Sequence, residues 1–193
     1  ASGTPVFCGS SSKSFTLIKH LTMKPLMLLT LAFVLAFTVS AQDDAKKQPS
    51  PPAQAKQTLS NGTEVAINYS QPSVKGRTIG KDLEPLPGKV WRTGANAATT
   101  FEINRDVKVE GKSLPAGKYA LFTIAGDDEW TIIFNKEAKQ WGAFNYKESE
   151  DALRVKVKPG KAKDFSEKMT FLIDKNGTVT LLWGDRQVDF KVS

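Results

Sequence analysis

The stretch MTFLIDKNGTVTLLW, residues 169–183, carries the pattern that decides the fold. Met169, Phe171 and Ile173 recur at every second position, Asn176-Gly177 interrupts, and TVTLLW follows. A period of two marks a strand with one buried face. Asn-Gly supplies the positive φ angles that a two-residue hairpin turn requires. The stretch therefore predicts two antiparallel strands joined by a tight turn.

Working outward, the same period recurs along the chain. Val65, Ile67 and Tyr69 alternate with polar residues, as do Phe101 and Ile103, Val107 and Val109, Leu153, Val155 and Val157, and finally Val188, Phe190 and Val192. Tyr119 to Ile124 and Trp130 to Phe134 are denser in apolar residues, which predicts central strands buried on both faces. Asn61-Gly62, Gly111 and Pro115-Ala116-Gly117 supply further turns. About nine strands are expected and no long helix, with one helical turn at Lys136 to Trp141. The fold class is all-β, an antiparallel two-layer β-sandwich, with a closed β-barrel as the alternative.

The N-terminal third reads differently. Residues 23–41, MKPLMLLTLAFVLAFTVSA, have a basic start at Lys24, an apolar run from Leu26 to Val39 and a small-residue end. This is the layout of a secretory signal peptide, with cleavage expected after Ala41. The run is shorter than the roughly 20 residues of a membrane span. Residues 1–22 read as an upstream, non-native segment and hold the only cysteine, Cys8, and the only histidine, His20. Residues 42–57, QDDAKKQPSPPAQAKQ, are polar and proline-containing, which predicts a flexible linker. The folded domain is expected over residues 58–193. Secretion to the periplasm or the outside follows as the expected localisation, with no membrane span left after cleavage.

Composition then closes off chemistries. The segment from Gln42 onward holds all 20 acidic residues and 24 of the 27 basic ones, a net +4, with no His and no Cys. Ser-His-Asp and Cys-His catalysis, disulfides and His- or Cys-ligated metals are excluded there. No cofactor or metal is implied. The charges are interspersed instead of clustered, which argues against nucleic acid as a partner. Paired carboxylates remain as hydrolytic candidates: Asp82, Glu84, Glu102, the Asp127-Asp128-Glu129 run and Asp185. The acidic run sits where a hairpin tip is expected, and its spacing matches no calcium loop.

The densest polar constellation lies in YSQPSVKGR (residues 69–77) and GKVWRTGANAATT (residues 88–100). Ser73, Lys75, Arg77, Arg92 and Asn96 would form, if they converge, a donor-rich pocket for an anionic or heavily hydroxylated ligand, with Trp91 beside them. The alternative is that Arg92 braces the loops in a buried network while Trp91 belongs to the core. Trp130, Trp141 and Trp183 pose the same choice between core packing and stacking on a sugar ring.

Together, YSQPSVKGR, GKVWRTGANAATTFE, LPAGKYALFTI, EWTIIFNK, QWGAFNY and DALRVKV resemble domain of unknown function 2911, a family of exported bacterial proteins. The resemblance spans Tyr69 to Lys158. It implies export and a compact β-rich domain, and it brings no catalytic residues. In that family an Arg is common where Gln71 stands, and some members carry an acid at the position of Ala97. The function expected is a non-enzymatic exported module that binds an anionic or glycan ligand, or a partner. A carboxylate-dependent glycan hydrolase and a purely structural envelope protein are the alternatives.

Overall fold

The computed structural model describes residues 50–193, within the compact unit Lys46–Ser193. Residues 1–22, the expected signal peptide at 23–41 and the first part of the expected linker lie outside the described residues.

The described residues form eleven strands. These are β1 (Pro52–Thr58), β2 (Glu64–Ser70), β3 (Val90–Trp91), β4 (Thr99–Ile103), β5 (Val107–Val109), β6 (Lys112–Leu114), β7 (Gly117–Ile124), β8 (Trp130–Asn135), β9 (Asp151–Val157), β10 (Pro159–Ile173) and β11 (Thr178–Lys191). One antiparallel sheet runs β1-β2-β4-β7-β8-β9, with β3 added beside β7. The second layer is built from the β10–β11 and β5–β6 hairpins. Reciprocal backbone bonds between Lys108 and Ser193 tie these hairpins to each other. No sheet closes on itself, so the sandwich is the fold and the barrel alternative falls away.

The alternating residues make the core between the layers. Val65 and Ile67 on β2, Phe101 on β4, Leu121 on β7 and Phe134 on β8 are all buried against Phe171, Leu181 and Phe190 of the hairpin. Phe101 and Phe134 meet edge-to-face at 4.9 Å, and Phe190 reaches Phe134 at 6.0 Å from the opposite layer. Tyr69 locks the other end, edge-on to Phe171 at 5.1 Å. Such pairs add about 0.5–1.5 kcal/mol each beyond the area they bury. The dense runs on β7 and β8 are indeed central. Ala120, Phe122 and Ile133 point to the outer face, where Tyr146 and Ala143 of the β8–β9 connection cover them.

The structure departs from the sequence expectations in three places. Residues 52–57, expected at the end of the linker, pair with β2 from Pro52↔Ser70 to Thr58↔Glu64. Their inward positions are Ala53, Ala55 and Gln57, too small or too polar to announce a strand. Lys136 to Trp141 forms no helical turn; a 3₁₀ turn lies instead at Glu148–Glu150.

The third departure concerns turns. The β10–β11 loop has three residues, not two: the Asp174 amide donates to the Thr178 carbonyl and the Gly177 amide to the Asp174 carbonyl. Only Gly177 takes a positive φ, +89°, so this is a type I turn closed by a glycine bulge. The Asn61-Gly62 turn repeats that pattern. The two-residue turn with both angles positive belongs to Glu110-Gly111. Gly177 has a second reason to lack a side chain: a Cβ there would lie 1.9 Å from the Val192 carbonyl oxygen. The backbone amide of Thr178 donates to the Asp174 carboxylate, and this holds the Asp174 pKa below its ordinary value.

Candidate functional site

The segment Arg92–Ala98 leaves β3 through an unusual backbone. Thr93 sits at φ +52° and Asn96 at +57°. Asn tolerates this region, but a β-branched residue there is strained by about 1–3 kcal/mol. Surrounding contacts hold Thr93 in place. It is fully buried, its hydroxyl lies 3.1 Å from that of Thr123, and its carbonyl accepts from the Thr99 hydroxyl at 2.7 Å. Gly94 is needed for space, because a Cβ would stand 2.9 Å from Thr99 Oγ1. Lys75, in the other predicted run, is a third positive-φ residue at +49°.

This bent segment delivers Arg92 to a concavity of about 320 Å³. Ser73, Lys75, Arg77, Trp91 and Arg92 all line it, together with Glu84, Trp183 and Ser50. Trp91 and Trp183 are buried, and both indole N–H groups donate inward, to the Gly94 carbonyl at 3.1 Å and the Glu84 carbonyl at 2.8 Å. Arg77 donates its Nε to the Val74 carbonyl and its Nη2 to the Ser73 carbonyl, which fixes the guanidinium against its own loop. Among the described residues no ion pair engages Lys75 or Arg77.

Arg92 is held by one contact. Its Nη1 pairs with Glu84 Oε2 at 2.8 Å, while its Nε is buried with no hydrogen-bond partner among the described residues. Three cations and one carboxylate thus share the cavity. Asn96, predicted as part of the pocket, does not line it; its Nδ2 donates to the Ser50 carbonyl at 3.1 Å and braces the wall from behind. Gln71 stays outside as well, donating to the Met169 carbonyl.

The candidate carboxylates separate, apart from Asp127 and Asp185. Glu84, Glu102 and Glu129 are each paired with a cation, Arg92, Lys118 and Lys156 respectively. Asp127 and Asp185 share a different concavity with Lys161 and Arg186. No group of three or more acidic, His or Cys side chains among the described residues is placed to hold a metal. Of the four tryptophans, Trp91, Trp130 and Trp183 are core and Trp141 is exposed.

Sequence reasoning missed a second polar cluster, at the start of β9. Asp151 Oδ2 accepts from the Tyr146 hydroxyl at 2.6 Å and from Arg154 Nε at 2.7 Å. Arg154 also donates Nη2 to the Tyr146 oxygen and pairs through Nη1 with Glu148 at 2.9 Å. Asn135 donates to Asp151 Oδ1 from the neighbouring strand. Burial, followed by the hydrogen bond to Asp151, pushes the Tyr146 hydroxyl pKa up to about 12. Burial acts to lower the Arg154 pKa, and its bonds to Tyr146 and Asp151 outweigh that and leave it raised.

Asp151 and Arg154 are three apart, which on a regular strand would put them on opposite faces. The β8–β9 register slips by one residue between Phe134↔Leu153 and Asn135↔Asp151, a bulge at Ala152 that brings both to the same face. The only advance signal was the Asp-x-x-Arg spacing itself.

The fold and the cavity define an all-β sandwich with a cationic, tryptophan-floored concavity. The chain belongs to the family described as protein of unknown function (DUF2911), which matches residues 50–192. The match begins just ahead of β1, in keeping with a domain that starts before Thr58. No curated protein and no solved structure matches the chain.

Proposed function

We propose that this protein is an exported, non-enzymatic binding module that takes an anionic ligand, a carboxylate or phosphate group, in the cavity of Lys75, Arg77 and Arg92, in the cell envelope or outside the cell. The observation that carries the reading is that Arg92, whose buried Nε has no partner among the described residues, lines a concavity together with two further cations. A buried N–H without a partner costs about 1–3 kcal/mol, and a planar oxyanion presents two acceptors in the geometry a guanidinium edge matches. The strained Thr93 backbone adds support, because strain of this kind collects where a side chain must be aimed. Export rests on the layout of residues 23–41.

The test is calorimetric titration with citrate, inorganic phosphate and oligogalacturonate, on the parent and on the Arg77→Ala/Arg92→Ala double variant. Saturable binding by at least one probe, lost in a double variant that keeps its circular dichroism spectrum, is expected. Equal binding by the folded double variant would remove the site assignment.

A further inference from the structure

We infer that the cleft between the end of β8 and the β8–β9 connection is a saccharide-binding site, separate from the basic cavity. The cleft measures about 850 Å³, within the range of small-molecule sites, and Gln140, Phe144, Asn145 and Tyr146 line it beside three lysines and two glutamates of mixed sign. Phe144 is 85% exposed, and Trp141, next in the chain to Gln140, is 60% exposed. Among the described residues these are the two most exposed aromatic rings but for Phe165, and they lie three residues apart.

The Phe144 ring is held outward by its own loop. It packs on Gly142, where a Cβ would fall 2.8 Å from the ring, and Gly142 sits at φ +66°. That loop is in turn anchored, since the Gly142 amide donates to the Asn96 carbonyl and the Ala98 amide to the Gln140 carbonyl. Tyr146 is clamped by Asp151 and Arg154, so the wall is preorganised as well.

The polar side of the cleft points to hydroxyl chemistry. Asn135 is fully buried and holds Gln140, whose Nε2 donates to Asn135 Oδ1 at 3.0 Å and to the Glu137 carbonyl at 2.8 Å. The Gln140 Oε1 atom is left buried without a partner among the described residues. An apolar partner would strand these amides, and an anion alone would make no use of an exposed phenyl ring. A pyranose has an apolar C–H face for the ring and hydroxyls that both donate and accept.

The test titrates the protein with cellohexaose, chitohexaose, laminarihexaose and mannohexaose by calorimetry. At least one is expected to bind saturably, with Phe144→Ala and Trp141→Ala each weakening it tenfold or more at unchanged thermal midpoint. The Arg77→Ala/Arg92→Ala variant is expected to bind that saccharide as the parent does, which separates this site from the basic cavity. The proposal is overturned if no hexasaccharide binds at millimolar concentration, if both aromatic variants bind normally, or if the basic-cavity variant is the one that loses binding. It is equally overturned if sedimentation shows a self-associated parent that Phe144→Ala makes monomeric while no saccharide binds, since the face would then belong to a second copy.

Discussion

Arg92 and Arg154 sit beside carboxylates in the same domain and are satisfied to opposite degrees. Arg154, with a side chain 33% exposed, engages all three of its nitrogens, with Asp151, Glu148 and Tyr146. Arg92 is more buried, at 22%, yet among the described residues its side chain holds a single partner and keeps an orphan Nε. Burial ordinarily goes with fuller hydrogen bonding, because water no longer serves. The inversion separates scaffold from site. The Arg154 cluster closes on itself and pins the β8–β9 connection, whereas the Arg92 cluster leaves a buried donor open among the described residues, the opening that the proposed ligand would fill.

Breaking the closed cluster should have the largest effect. Arg154→Ala leaves the Asp151 carboxylate, only 7% exposed, without its cation. A loss of about 2–4 kcal/mol in urea unfolding is expected, below the top of the range for buried pairs because Arg154 is partly solvated. A loss under about 0.5 kcal/mol would mean the cluster is not structural.

Next comes pH. The Tyr146 hydroxyl pKa rises from 10.0 to about 12 on folding, so the native state holds this proton more tightly than the unfolded chain. That contribution is complete below pH 10 and is lost as pH climbs through 12, worth about 1 kcal/mol once solvent screening is allowed for. Unfolding measured from pH 9 to 12 should show the parent losing its margin over Tyr146→Phe across this window. Parallel curves would count against the assignment.

The smallest effect sharpens the other side of the comparison. Among the described residues Glu84 is the one acid that pairs with Arg92, so it would compete with an incoming anion. Glu84→Gln should tighten anion binding about two- to fivefold, as the loss of one half-exposed ion pair implies, with little change in stability. Weaker binding would show that Glu84 positions Arg92 for the ligand instead of competing with it.

What the sequence revealed depended on side-chain size and on locality. β2, β4, β7, β8 and the β10–β11 hairpin were legible because Val, Ile and Phe mark their buried faces. β1 was not, since Ala53 and Ala55 cover the edge of the core with hardly any apolar signal. The convergence of Ser73, Lys75, Arg77 and Arg92 was foreseen from two dense runs, and five of the six chosen residues line one cavity. Asn96 lies outside that cavity, where its side chain turns to the Ser50 backbone, a contact between residues 46 apart in the chain. The Tyr146, Asp151 and Arg154 cluster stayed hidden because it depends on a bulge, and a bulge inverts the alternation on which strand reading rests.

The most direct test of the difference between the two arginines is the side-chain Nε–H resonance of each in a ¹⁵N-labelled sample titrated with citrate and phosphate. Saturable movement of the Arg92 Nε–H, with the Arg154 Nε–H unmoved in its bond to Asp151, is the predicted result. An Arg92 signal that stays fixed, or that moves only in step with Arg154, would contradict it.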